Sequence, residues 1–265
     1  MDRERIVRIE HAWASAEREI VEAVRRLDPT WGSMTFTVAD GWAVLSGPGL
    51  FANALFGAGL TSGVTEADLE HLEEHAAEVG VPAALEISEA TRPEVAALAA
   101  ARGYRPDDVA HAVVHDLRDL PAPEPAVVIE RVPLEAVNTW QDATAAGWGH
   151  DEPRRRAASD VYSAAAGEVD RPGLLLARAT DDGRVVGAAM LRIADGFATL
   201  GGMSTLPAER GRGVQRALVF HRLRAAAEAG CDFAASMAVA GSTSERNLLR
   251  LGFEPSHTKT EWIRS

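Results

Sequence analysis

The run Glu209-Arg-Gly-Arg-Gly-Val-Gln-Arg-Ala-Leu218 carries the clearest chemistry in this chain. It follows a strand-like stretch, Phe197–Thr205, and Pro207, and it opens a long Ala/Leu-rich helix. Glycines at a strand-to-helix turn free backbone N–H groups to point outward. The helix N-terminus adds partial positive charge, so such a turn suits a phosphate or pyrophosphate. Arg210 and Arg212 add full charges. There is no Gly-Lys-Ser/Thr, which excludes a P-loop. Arg216 stands where a dinucleotide fingerprint has its third glycine. The plain alternative is an Arg/Gly-rich turn before a surface helix.

The elements that must position this turn are legible on both sides. Downstream come a helix over Val214–Ala229, Gly230 as its C-cap, a strand over Phe233–Ala240, a short helix over Ser244–Leu251, and Gly252-Phe253. Upstream, Leu174–Ala179, the turn Asp181-Asp182-Gly183 and Val185–Ile193 predict a hairpin, and Asp195-Gly196 turns into the strand before the run.

On this order, and on Pro207, Arg210 and Gly213, the segment Val127–Ile263 resembles the GNAT superfamily of N-acyltransferases, with its acyl-CoA loop Arg/Gln-x-x-Gly-x-Gly/Ala. Gln215 departs from the pattern, which has Gly or Ala there. The resemblance implies acetyl-CoA as cosubstrate and acetyl transfer to an amine of a small molecule. It places the backbone of Met203, Ser204 and Thr205 on the pantetheine and thioester. Arg210, Gly211, Arg212, Gly213, Val214 and Gln215 would take the pyrophosphate, and Ser244 and Asn247 the pantetheine or sulfur region, which makes Ser244 a catalytic candidate too. Many members carry a Glu on the strand before the loop and a Tyr four residues before the Gly of Gly-Phe. Here that strand holds no carboxylate, and the Tyr position is Leu248. A catalytically impaired CoA-binding module is therefore the alternative, and a purely structural duplication a third reading. Activity could survive these losses, since a thiol with a reference pKa of about 8.5 leaves readily as its anion.

Side-chain candidates lie on the acceptor side, in Ala146-Gly-Trp-Gly-His-Asp-Glu152. The two glycines predict mobility, and Trp148 could cover a ligand. His150 has a reference pKa of about 6.5, suited to accepting a proton. Asp151 and Glu152 could attract a cation, or could simply cap the helix that Pro153 opens. Arg154, Arg155 and Arg156 could reach a CoA phosphate or form a solvated face. His221, on the loop helix, reads as a packed histidine. Cys231 reads as buried filler. No His/Cys cluster at ligand spacing is recognised, so no metal is expected.

The chain has 265 residues, a net charge of −12 and one cysteine. Acidic balance disfavours nucleic acid and anionic membranes as partners. No apolar stretch approaches a membrane span, and no signal peptide is recognised, so a cytoplasmic bacterial protein is expected. A homodimer is compatible with this reading. Lys259 is the only lysine, which reads as codon bias.

Pro121-Ala-Pro-Glu-Pro125 marks a seam. The expected domains are 1–120, a linker over 121–126, and 127–265. They look like copies. His71–Val79 and His221–Ala229 are similar helices ending at Gly80 and Gly230, at an offset of 150 residues. Gly103-Tyr104 matches Gly252-Phe253 at an offset of 149. An offset constant to within one residue over several elements argues for duplication. The expected fold is α/β with mixed sheets, in two tandem GNAT-like domains. In the first copy Leu60 and Ser62 replace Arg210 and Arg212, so it is expected to be degenerate. An apolar stripe at Ile6, Ile9, Trp13, Ala16, Ile20, Val24 and Leu27 predicts its opening helix.

Overall fold

A computed structural model describes residues 2–121, 127–169 and 173–264. Most of the Pro-rich seam, 122–126, lies outside the described residues. The opening helix, α1, spans Arg3–Leu27. Asp2 caps it, accepting from the N–H groups of Glu4 and Arg5, and Arg25 and Arg26 complement the negative end of its dipole. The buried stripe runs from Ile6 to Val24. Leu27 is exposed, because the helix ends there, and the stripe unexpectedly contains a buried carboxylate, Glu10.

Three short strands follow: β1 (Met34–Val38), β2 (Gly41–Leu45) and β3 (Asn53–Phe56). The helix α2 (Glu66–Val79) starts at a capping box of Thr65 and Asp68 and ends at Gly80, which adopts φ 82°. Then come β4 (Ala83–Ser88), α3 (Pro93–Ala101) and β5 (Arg105–His115). Leu45, Leu55, Leu69, Leu72, Leu85 and Tyr104 form the core of this half.

The second half runs β6 (Val127–Arg131), α4 (Val137–Trp148), α5 (Pro153–Val169), β7 (Leu174–Ala179), β8 (Val185–Ala194), β9 (Phe197–Thr205), α6 (Val214–Glu228), β10 (Ala234–Val239), α7 (Thr243–Arg250) and β11 (Glu254–Arg264). The strands are ordered β10-β9-β8-β7-β6. All these neighbours whose register is given pair antiparallel except β9 and β10, which are parallel. Alternation on β7 and β8 sends Leu174, Leu176 and Ala188 to one core with Trp140 of α4. It sends Ala177 and Ala189 to another with Val214 and Leu218 of α6. Both faces are buried, which explains why these strands read as nearly continuous apolar runs.

The order β-β-β-α-β-α-β thus occurs twice, as the duplication implied. The two halves do not keep their own last strands, however. Lys259–Arg264 of β11 pair antiparallel with Ser88–Ala83 of β4, so the carboxy-terminal strand stands between β4 and β5 in the order β1-β2-β3-β4-β11-β5. The chain accordingly divides into a unit of Met1–Ala112, Ala238–Arg246 and Pro255–Ser265, and a unit of Val113–Met237 and Asn247–Glu254. This division departs from the contiguous boundaries expected from the Pro-rich seam. Strand pairing is set by edge complementarity at long range, which composition along the chain does not report. Among the described residues no helix is long and apolar enough to cross a membrane.

Candidate functional site

The strand before the glycine run is irregular at the positions the sequence singled out. On β8, Ala188 pairs with Ser204 and Met190 with Gly201. Two residues of β9, Gly202 and Met203, therefore oppose the single residue Ala189, which is a β-bulge. Gly202 adopts φ 54° there, a conformation that favours glycine. The parallel pairing of β9 with β10 is confined to Ala198 with Ala234 and Thr199 with Ala235. Ser236 Oγ donates to the Leu200 carbonyl where that ladder stops, at 2.9 Å. The register ends there, so the backbone of Gly201–Thr205 lies outside the β10 ladder.

Side chains of the second unit hold this opening in shape. The Trp140 indole donates to the Ala189 carbonyl at 3.1 Å, and the Trp148 indole donates to the Met203 carbonyl at 3.0 Å. Arg222 of α6 is buried and donates to the carbonyls of Met190 and Gly201 at 3.0 and 3.2 Å. Burial alone pushes its guanidinium down to about 9, still charged at neutral pH. All of these groups are donors, to carbonyls and, for Arg222, also to the Met203 sulfur, so none of them accepts from an N–H of the bulge. The sequence reading missed Trp140 and Arg222, because a tryptophan or arginine inside an amphipathic helix looks like core or solvated face.

The glycine run has the geometry that its composition predicted. Arg210 is extended, Gly211 and Gly213 adopt φ 77° and 81°, and Gly213 is the N-cap of α6. No side chain caps α6, which leaves its first N–H donors to an outside acceptor. The Arg210 guanidinium donates to the Gly147 carbonyl at 2.8 Å, so it also ties the end of α4 to the loop. Arg212 and Arg184 both bond Glu209, at 3.2 and 3.1 Å. Asn247 Nδ2 donates to Gln215 Oε1 at 2.7 Å. Asn247 is thus joined to the loop helix, whereas Ser244 is exposed on the first turn of α7 and groups with the first unit.

The acceptor-side segment is more rigid than its glycines suggested. Gly147 lies inside α4, where an added Cβ would stand 2.4 Å from the Ser204 Cβ, and Ser204 Oγ donates to the Ala143 carbonyl. Gly147 therefore serves close packing, not mobility. Gly149 ends the helix at φ 72°, and the His150 N–H closes the turn on the Ala145 carbonyl. The His150 ring lies 5.5 Å from that of Trp148. Glu152 accepts from the N–H groups of Arg154 and Arg155, which lower its pKa, so it caps α5 and does not wait for a cation. Arg156 pairs with Asp142 and Asp160. His221 is half-buried. Burial, with Arg224 and Arg222 nearby, lowers its pKa, as suits a packed neutral histidine. Burial and Asp232 raise the Cys231 thiol, which keeps it protonated and unreactive.

The corresponding loop of the first unit is occupied from within. Asp40, in the β1–β2 turn, accepts from the N–H groups of Gly59, Thr61 and Ser62 at 2.7, 2.5 and 3.3 Å, and from the Thr61 hydroxyl at 2.7 Å. Thr61 and Ser62 match Gly211 and Arg212 at the 150-residue offset. Burial works against the charge, but these donors outweigh it and hold the Asp40 carboxyl at about 2, against the usual 3.8. The lowered pKa makes its contribution full above about pH 4 and lost as pH falls through about 2, some 2 kcal/mol in all. We expect Asp40→Asn to destabilise the chain at pH 7 and to match wild type much more closely at pH 2.5. Denaturant unfolding at both pH values measures this, and a gap that does not narrow in acid would refute the linkage.

Comparison with known proteins gives a family match over part of the chain. Residues 134–253 match the model of the acetyltransferase (GNAT) family. No curated protein matches. A GCN5-related N-acetyltransferase from Kribbella flavida superimposes with TM-score 0.64 at 19% identity, covering 92% of this chain and 95% of that one. One from Sphaerobacter thermophilus gives 0.57 at 22% identity over 75% of this chain, which spans 64% of that protein's length. A tandem GNAT protein from the clavulanic acid biosynthesis pathway gives 0.56 at 16% identity, over 75% of this chain and 68% of that one. These likenesses show the fold. Residues 134–253 are thus matched by the acetyltransferase (GNAT) family model, on a fold shared with these neighbours.

Proposed function

We propose that the second unit binds acetyl-CoA and transfers its acetyl group to an amine of a small molecule. The observation that carries this is the bulge of β9, past the end of its β10 ladder and directly before a glycine loop and an uncapped helix N-terminus. N–H groups of Gly211–Gln215 and the charge of Arg210 face the pyrophosphate. Backbone of Met203–Thr205 lies along the pantetheine and polarises the thioester carbonyl. The amine nitrogen attacks the thioester carbon, the C–S bond breaks, and the CoA thiolate departs. The amine's proton passes to His150 or to water that it orders. Neither a strand carboxylate nor a helix Tyr takes part, since β9 has no acid and Leu248 is buried.

The first unit, on this reading, binds no CoA. Asp40 holds its loop N–H groups, and Thr65 with Asp68 caps α2, whereas α6 has no such cap. The buried Leu248 also motivates a second reading, a CoA-binding module without turnover. Thiol release from acetyl-CoA across a panel of amines separates the two.

Calorimetry tests the cofactor assignment. A charge-assisted hydrogen bond contributes about 1.5–3 kcal/mol, so Arg210→Ala should weaken CoA by about 10- to 100-fold. Leu60→Ala, at the matching first-unit position, should leave it unchanged. Equal affinity in wild type and Arg210→Ala, or two CoA per chain, would overturn the reading. His150→Gln should lower the turnover rate more than it lowers CoA affinity. An unaltered pH–rate profile would remove His150 from the mechanism.

A further inference from the structure

On α2 the structure assembles a group that the sequence reading passed over. His71 and His75 are one helical turn apart and Glu74 lies three residues after His71, so all three share a face. Their ligand atoms lie within 4.8 Å of one another. The spacing His-x3-His does fall in the range of known zinc ligands, which corrects the expectation of no such cluster. The rings of His71 and His75 are 4.2 Å apart, and Phe36 of β1 packs against both, at 4.8 and 4.9 Å. The aromatic wall limits the rotamers of both imidazoles, which reduces the ordering cost of ligation. His75 Nδ1 is buried and has no hydrogen-bond partner. A buried, unpartnered nitrogen calls for an explanation, and an ion bound at that atom is one. Three other acids of the helix, Glu66, Glu70 and Glu73, are drawn to Arg102 on a different face. Glu74 remains with the histidines.

We propose that His71, Glu74 and His75 form a binding site for a divalent first-row transition metal, with zinc as the best fit. Two imidazoles and one carboxylate are borderline-soft donors that suit zinc and disfavour calcium or magnesium, which take oxygen ligands. Zinc–ligand bonds of about 2.0–2.2 Å space tetrahedral ligands about 3.4 Å apart, within reach of small rotamer changes from the present arrangement. Glu74 here is a ligand and not a base, because its carboxylate sits among the same three donor atoms. Solvent would supply the remaining position. The site lies wholly in the first unit and is independent of the acetyl-transfer reading. The metal would pin successive turns of α2 together and raise the stability of this unit.

The test uses the full chain, stripped with a chelator and titrated with zinc chloride against a chromophoric competitor. One zinc per chain in the micromolar range is expected, with a rise in unfolding temperature. His71 and Glu74 are exposed, so His71→Asn and Glu74→Gln should fold normally. Each should weaken zinc by about tenfold or more and remove the thermal shift. Cobalt bound in place of zinc should show visible d–d bands that His71→Asn abolishes. No zinc site in the wild type, or equal zinc affinity in wild type and His71→Asn, would overturn the proposal.

Discussion

Lys259→Met should lower the stability of the chain by about 3–5 kcal/mol, the cost typical of stripping one partner from a buried ion group. The only lysine in the sequence is 3% exposed. Its ammonium stands 3.5 Å from Glu10 Oε2 and is paired with Glu86. It also faces the rings of Trp13 and Phe56, at 5.1 and 5.9 Å. His257 Nε2 bonds the other Glu10 oxygen at 2.9 Å and its Nδ1 bonds Ser256 Oγ, so the group is closed on itself. Burial opposes the Lys259 charge, yet Glu10 and Glu86 outweigh it and raise its pKa. Burial also works against the Glu10 charge, and Lys259 and His257 outweigh it to hold that carboxyl below the usual range. Burial pushes Glu86 up to about 7, with the Glu10 charge adding to it.

Methionine would fill the lysine's volume and leave two carboxylates facing each other without a cation. Protonation relieves that conflict, so the loss should be larger at pH 8 than at pH 5. In the wild type the raised Glu86 pKa already makes its contribution full below about 4.5 and lost as pH rises through about 7. Urea unfolding at the two pH values reads both effects. A variant as stable as wild type at pH 8 would show that the network does not hold β11 beside β4.

Gly147→Ala is the second large effect, and it should act on cofactor binding from outside the loop. The new Cβ would stand 2.4 Å from the Ser204 Cβ, 2.7 Å from its Oγ and 3.2 Å from the Thr205 backbone nitrogen. Two of these atoms belong to a serine held on the Ala143 carbonyl and one to the β9 backbone, so α4 itself must move. Overpacking of this kind costs about 1–3 kcal/mol. Moving α4 also displaces the Gly147 carbonyl from Arg210 and the Trp148 indole from the Met203 carbonyl. We therefore expect Gly147→Ala to weaken CoA at least as much as Arg210→Ala, with a lowered unfolding temperature. Unchanged CoA affinity would mean that the end of α4 does not shape the loop or the bulge.

Much of this was legible in the residues themselves. The glycine run, its helix, the Asp195-Gly196 turn and the final Gly-Phe are local signals, because each depends on backbone preferences of residues close in sequence. Asp195 and Gly196 indeed both adopt positive φ, and the constant offset of the two halves reappears in the element order. The two-glycine segment at Gly147–Gly149 was misjudged for the opposite reason. A glycine demanded by a facing strand and a glycine demanded by a turn look the same until the strand is placed.

The sequence by itself determined the elements around the glycine run, their order, its repeat in the other half, and the positive-φ glycines of that run. Tertiary structure alone decided where β11 pairs, that Asp40 fills the first loop, that β9 bulges opposite Ala189, and that Lys259 is buried among carboxylates. The division has one physical cause. Helix caps, turns and amphipathic periods are settled within a few residues. Strand partners, buried ion groups and internal anions join residues as far apart as Glu10 and His257, whose proximity no local preference encodes.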